Sequence, residues 1–75
     1  MDEAEVVKKV VRSLREIREK RGISQYRLAK LTGLSASGIR HMESGRVTPT
    51  LFFLLRISSH LDVRLTDLLE RAYEA

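Results

Sequence analysis

The sequence lacks cysteine and tryptophan, contains a single proline, and has only two phenylalanines and two tyrosines in 75 residues. Without cysteine the chain can form neither a disulfide framework nor a thiolate metal site, which fits a reducing compartment. Its apolar runs are short, and none approaches the roughly 18 residues that a membrane span requires. No basic segment followed by an apolar stretch resembles a secretory signal. We therefore expect a cytoplasmic protein, with a length that suits one domain, 1–75.

Acidic residues are scarce in the middle of the chain. The formal net charge is +4 at pH 7 and the pI is about 10.0. Between Lys20 and Leu61 there are seven basic residues and one acid, Glu43. Such a concentration is typical of a protein that binds a polyanion, although a solvated, solubilising surface has the same composition. The basic residues of this segment are Lys20, Arg21, Arg27, Lys30, Arg40, Arg46 and Arg56.

Capping residues and glycines divide the chain into predicted helices. Serine, threonine and aspartate are favoured just before a helix, and glycine just after one, because of the hydrogen bonds and the left-handed backbone required there. Pro49 indicates a helix start, with Thr48 or Thr50 as its cap. The other assigned caps are Asp2, Ser24 and Ser35, and the terminating glycines are Gly22, Gly33 and Gly45.

Apolar residues in these segments repeat at intervals of three and four, and no segment alternates as a strand does. The fourth helix, which includes Leu51 and Leu55, is apolar enough to be expected as the central core helix. The sequence therefore predicts an all-α fold, a compact five-helix bundle. Its helices are expected at about 3–21, 25–32, 36–43, 50–61 and 65–73.

The segment from Gln25 to Gly45, QYRLAKLTGLSASGIRHMESG, predicts two short helices that cross at close range around a tight turn. Ala29 is small enough to permit the crossing, Gly33 permits the turn, and Ile39 can anchor the second helix from behind. Each feature alone is weak. Their combination at this spacing is typical of a helix-turn-helix unit, whose second helix reads the major groove of DNA.

This segment resembles the family of lambda repressor, Cro and the xenobiotic-response-element (XRE) regulators, whose pattern is Q-x-x-L-A-x-x-x-G-[LV]-S-x-x-x-I-x-x-[ILM]-E-x-G. The likeness extends over residues 10–70. It implies a lambda-repressor-like bundle with an extended N-terminal helix, in a DNA-binding protein of prokaryotic or phage type. The matching residues are Gln25, Leu28, Ala29, Gly33, Leu34, Ser35, Ile39, Met42, Glu43 and Gly45.

The resemblance also implies roles for individual residues. Arg18 and Glu43 occupy positions that often form a partly buried ion pair between the first helix and the recognition helix. Such a pair would neutralise the lone acid of the basic segment. The residues at base-facing positions of the recognition helix are Ala36, Ser37, Arg40 and His41. The residues placed to contact DNA phosphates are Gln25, Arg27, Ser44 and Arg46.

Three residues depart from the family pattern. Ala36 stands where many relatives carry arginine or glutamine, so it can offer only an apolar contact, for example to a thymine methyl group. Gly38 should cost about 0.5–1 kcal/mol within a helix, and it either allows a close approach to DNA or is simply tolerated. Phe52 occupies a position that is usually polar. Sequence-specific contacts are therefore expected mainly from Arg40, His41 and Ser37.

These features favour a sequence-specific, double-stranded DNA-binding transcriptional regulator, specifically a repressor. One such domain covers a half-site, so we expect a homodimer on a pseudo-palindromic operator, with recognition helices about 34 Å apart. The alternative is an antitoxin-type regulator whose main partner is a toxin protein, contacted through exposed Phe52 and Phe53. A third hypothesis is an interaction module that kept the fold and lost DNA binding, supported only by the small side chains of residues 36–38.

The first helix begins earlier than the family minimum and adds Val6 and Val7 to the apolar stripe that includes Val11. Val7 and Val11 are the two whose partners matter most. These valines either pack within the monomer, against Leu69, Ala72 and Tyr73, or contribute to a dimer surface. The last helix and Phe52 with Phe53 are the other candidate dimer surfaces.

We expect no enzyme activity, no cofactor and no metal site. Ser24 and Ser35 are explained as caps, and a serine nucleophile would need a positioned base that the sequence does not suggest. His60 is explained as a residue near a helix C-terminus. The sequence has no glycine-rich phosphate loop.

Overall fold

The computed structural model describes residues 2–74, and this part of the chain forms five α-helices and no strand. The predicted all-α bundle is therefore confirmed, and each predicted helix end agrees with the structure to within one residue. The helices are α1 (Glu3–Lys20), α2 (Gln25–Thr32), α3 (Ala36–Glu43), α4 (Leu51–His60) and α5 (Leu65–Glu74). Among these helices, none has both the length and the apolar character needed to cross a membrane.

Side-chain caps fix where four of the helices begin. Asp2 accepts a hydrogen bond from the Glu5 N–H at 2.8 Å, and the three hydroxyl caps accept equivalent bonds at 3.0–3.1 Å. For α4 the cap is Thr50 and not Thr48. Pro49 therefore precedes the cap instead of occupying the first helical position. The hydroxyl caps are Ser24, Ser35 and Thr50.

The hydrophobic core lies where α1 packs against α5 and where α2, α3 and α4 meet beside it. Val11 is buried in this core, and Val7 is half-buried and packs against it. Both valines are thus involved in packing within the monomer, whereas Tyr73, one of their predicted partners, is 65% exposed. The core residues are Val6, Val10, Val11, Leu14, Leu28, Ala29, Ile39, Met42, Leu54, Ile57, Leu61, Leu65, Leu68 and Ala72.

The prediction that Leu51 and Leu55 belong to the core is wrong. They are 65% and 47% exposed, while Leu54 and Ile57 are buried. Positions 54, 57, 58 and 61 recur at intervals of three and four and occupy the inward face. Residues 51 and 55 therefore fall on the outer side of the helix, because one helix face cannot include these two positions together with 54, 57, 58 and 61.

The two phenylalanines of α4 also differ from the prediction that both are exposed. Phe52 is 64% exposed, but Phe53 is half-buried and packs against the core. Consecutive residues point about 100° apart around a helix, so an inward Phe53 leaves Phe52 outside. Leu51, Phe52 and Leu55 together form an exposed patch that we call the α4 apolar surface.

Candidate nucleic-acid interface

The turn between α2 and α3 sets the angle at which the two helices cross. Gly33 has a φ of 76°, and its N–H donates to the Ala29 carbonyl at 2.9 Å. The buried Thr32 hydroxyl donates to the Leu28 carbonyl at 2.7 Å and accepts from the Leu34 N–H at 3.2 Å. All polar groups of this buried threonine side chain are therefore satisfied, which holds the turn in one conformation.

Arg56 reaches from α4 to the same turn. Its Nε donates to the Thr32 carbonyl at 2.8 Å, and its guanidinium lies over the Phe52 ring, 5.7 Å from the centroid. The sequence predicts Arg56 only as part of the basic surface. In the structure it also connects α4 to the C-terminal end of α2.

α3 is anchored by one face and presents the other to solvent. Ile39 and Met42 are 0% and 2% exposed. Ser37 and Arg40 lie on the exposed face. The other two predicted base-reading residues, Ala36 and His41, are half-buried, and Ala36 packs against the core.

Gly38 is explained by packing inside the protein. A Cβ atom at this position would lie 2.8 Å from the Ser35 hydroxyl oxygen and 3.4 Å from the Phe53 ring. The first distance is shorter than real contacts of this kind, and the Ser35 oxygen is already fixed as the cap of α3. Gly38 thus accommodates the Ser35 cap, whereas the Phe53 ring lies at an ordinary contact distance from such a Cβ atom.

Arg18 and Glu43 form a bidentate ion pair between α1 and the last residue of α3. The Nε and Nη2 atoms of Arg18 donate to the two carboxylate oxygens at 2.8 and 2.9 Å. The third donor, Nη1, reaches the Ile23 carbonyl at 2.7 Å. The amide of Gln25, the first residue of α2, donates to Glu43 at 2.8 Å. One carboxylate therefore ties together α1, α2 and α3.

The pairing with Glu43 changes the pKa of Arg18. The hydrogen bond to Glu43 raises the pKa of Arg18 and outweighs the opposing effect of burial. Because the pKa of Arg18 is raised in the folded state, the contribution of this ion pair to stability is fully present below the ordinary pKa of arginine and is lost only above it.

The pairing of Glu43 also affects the charge of the interface. Because Glu43 is paired internally, the one acid of the basic segment does not offset the exposed Arg40 and Arg46.

The residues predicted to contact phosphates lie at the start of α2 and just after α3. One N–H of the Gln25 side-chain amide donates to Glu43, and the other N–H is left to donate to a phosphate. Arg27 is exposed on α2. Ser44 and Arg46 are exposed beyond α3, where the Arg46 N–H donates to the His41 carbonyl at 2.9 Å. Their phosphate contacts remain predictions.

Tyr26 and Lys30 form an exposed pair on α2 that is not among the residues predicted from the sequence. The Lys30 ammonium lies over the Tyr26 ring, 5.1 Å from its centroid, and Tyr26 is 64% exposed. The spacing of four residues between an aromatic and a cation is the signal that could have identified it. The pair holds a positive charge on the exposed side of α2.

A helix crossed by a second helix, joined to it by a glycine turn and exposing an arginine beside a basic loop, defines a helix-turn-helix DNA-binding domain. The Helix-turn-helix family model that describes XRE and lambda-repressor-like domains matches residues 14–68. The match covers more than half of the chain, which therefore belongs to this family. It is a DNA-binding transcription regulator, and its family is not typically enzymatic. A comparison with curated proteins finds no match.

Proposed function

We propose that the chain is a sequence-specific repressor that inserts α3 into the major groove of double-stranded DNA. The observation that supports this most is the asymmetry of α3, which is anchored through Ile39 and Met42 while Ser37 and Arg40 face solvent. A rigid helix with an exposed arginine can approach base edges without rearrangement of the core.

Arg40 is the main base-reading residue in this proposal. Its guanidinium can donate two hydrogen bonds to guanine, the commonest specific contact of the major groove. Ser37 contributes a hydroxyl from the same exposed face. Ala36 and His41 are half-buried and contact bases only at the edge of the reading surface. The phosphate contacts come from Gln25, Arg27, Ser44 and Arg46.

The proposed active form is a homodimer that associates through the α4 apolar surface. Phe53 faces α3, where its ring neighbours Gly38, whereas Leu51 and Leu55 lie on the other side of α4. Association through that side leaves α3 free to bind DNA. The protein measures 33 × 24 × 20 Å, so two copies side by side suit recognition helices about 34 Å apart.

The α4 apolar surface also supports the second candidate function, an antitoxin-type regulator whose toxin partner covers these side chains. Exposed Phe52 is the observation that favours it, although Phe53 no longer contributes. The hypothesis of an interaction module without DNA binding has lost part of its support. Gly38, which belonged to its small face, is explained by the Ser35 cap.

Selection of bound duplexes from a random pool, using the full chain at physiological salt, tests the proposed function. We expect an enriched half-site repeated as a pseudo-palindrome, with centres about 10 base pairs or a multiple apart. A single unrepeated site would overturn the dimer, and a pool without enrichment would overturn sequence-specific binding. Purification from the native host with a stoichiometric partner, in place of a homodimer, would favour the antitoxin.

A further inference from the structure

A groove runs along the N-terminal half of α1, between that helix and the end of α3 with the loop that follows. Its volume is about 650 Å³. The apolar side chains of Val7, Val11, Met42 and Pro49 line it. Residues 3–13 of α1 lie outside the part of the chain that the family model matches, so one wall of this α1 groove is an addition to the matched domain.

The charges around the α1 groove are predominantly positive. Lys8 and Arg12 line it from α1 and are exposed, and Arg15 also lines it but pairs with Glu19 at 3.2 Å. Glu43 also borders the groove but is paired with Arg18, so it does not offset these cations. Glu3 is the acid at the far end. The groove thus combines an apolar floor with a basic rim.

The shape of the groove indicates the kind of occupant. From Ala4 to Arg15 it follows α1 for about 16 Å, the length of three helical turns. It is open along its length, whereas sites for small molecules enclose most of the ligand surface. Long, open, apolar grooves typically bind an amphipathic helix of another protein.

We propose that the α1 groove binds an acidic amphipathic helix of a partner protein. The apolar side chains of that helix contact Val7, Val47 and Pro49, which keep exposed surface in the groove, and its carboxylates pair with Lys8 and Arg12. The charge complementarity is what determines the partner's chemistry, since a basic or neutral helix would leave these cations unpaired against an apolar surface.

Docking in this groove regulates DNA binding, a consequence that rests on the proposed function. Ser44 and Gly45 line the groove, and Arg46, predicted to contact a phosphate, follows them directly. Carboxylates bound beside this loop repel the DNA backbone and compete for Arg46. The partner therefore weakens DNA binding while leaving the recognition helix folded.

The test uses the full chain and a synthetic peptide of about 14 residues, roughly 20 Å of helix, with leucines at intervals of three and four and glutamates elsewhere. A control peptide has lysine in place of every glutamate. Binding is measured by fluorescence anisotropy, and the site is mapped by amide chemical-shift changes. We expect the glutamate peptide to bind at least tenfold more tightly, with the largest shifts at Val7, Val11 and Gly45.

Charge reversal provides the matched protein variants. Lys8→Glu with Arg12→Glu should lower affinity for the glutamate peptide at least tenfold and favour the lysine peptide. Lys20→Glu with Arg64→Glu makes the same change in net charge at exposed positions outside the groove and should leave the peptide preference intact. If the first variant does not fold, Val47→Asp is the second variant. It changes an exposed loop position that lines the groove and should likewise lower affinity for the glutamate peptide.

Equal binding of the two peptides, no binding, or shifts centred on the α4 apolar surface would overturn the groove proposal. DNA binding is measured on the same protein with and without peptide. Peptide binding in the groove together with a failure to select any DNA sequence would overturn the proposed function and leave the docking site. Sequence-specific DNA binding without peptide docking would support the proposed function and overturn the groove proposal.

Discussion

Arg18 and Glu43 connect the first and third helices through two hydrogen bonds of 2.8 and 2.9 Å. Their side chains are only 9% and 3% exposed, so the pair lies almost wholly outside solvent. Glu43 is the last residue of α3, and the loop with Ser44 and Arg46 follows it. The pair therefore fixes the recognition helix and the adjoining loop relative to α1.

Removing one member of this pair should be much more damaging than removing both. Glu43→Ala leaves a buried guanidinium without its partner and should destabilise the fold by about 3–5 kcal/mol. Replacing both residues, as Arg18→Met with Glu43→Leu, should recover most of that loss because neither charge remains buried. Urea unfolding at low temperature measures the free energy of unfolding of the single and the double variant. A double variant as unstable as Glu43→Ala would show that the charges are not the cause.

Gly38→Ala should bring no gain in stability, although alanine is usually the better helix residue. The helix-propensity gain of up to about 1 kcal/mol is offset by displacement of the Ser35 cap, worth about 1 kcal/mol. We expect a free energy of unfolding close to that of the unchanged protein, measured by thermal denaturation. In a Ser35→Ala background, where no cap oxygen is displaced, the same substitution should stabilise by up to about 1 kcal/mol. An equal effect in both backgrounds would exclude the proposed clash with the cap.

The helices were predictable because local signals agree with the global fold. Asp2, Ser24 and Ser35 cap helices where the sequence predicts them, and Gly33 adopts its left-handed turn. The error on α4 has a physical reason. Leucine is compatible with either face of a helix, so an apolar ten-residue segment does not reveal which residues face inward until its neighbours are placed.

The candidate site was predictable as a segment but not as a set of contacts. The alternation of inward Ile39 and Met42 with outward Arg40 follows from helix periodicity alone. The fit of Phe53 against Gly38, and the bond from Arg56 to the Thr32 carbonyl, join α4 to residues far away in sequence. Composition and spacing contain no signal for such contacts, since both depend on how α4 is oriented.

Arg40→Ala should weaken binding to the selected operator by about 1–3 kcal/mol and relax the preference at one base pair of each half-site. The reason is the loss of a bidentate contact to a base edge. Repeating the duplex selection with the variant measures this directly. Arg64→Ala, another exposed arginine but outside the helix-turn-helix unit, is the matched control and should keep the full preference. An unchanged preference in Arg40→Ala would rule out its reading role.

Arg46→Ala should weaken binding to every DNA sequence by a similar factor. A phosphate contact releases about one counterion, so the slope of log affinity against log salt should fall by about 1. Titrations over a salt series, with the operator and with an unrelated duplex, measure this. Loss of affinity for the operator alone would indicate a base contact instead, and an unchanged slope would exclude a phosphate contact.

Leu51→Ser with Leu55→Ser should dissociate the homodimer and leave the monomer folded. Both side chains are largely exposed, so the core loses little, whereas burying each one in a dimer contributes on the order of 1 kcal/mol. Sedimentation should show association weakened at least tenfold, and operator binding should lose its two-site character. Leu31→Ser on α2, where the leucine is 45% exposed, is the control and should leave the dimer intact. If the double variant still dimerises but no longer retains a partner from the native host, the α4 apolar surface binds another protein, as the antitoxin hypothesis requires.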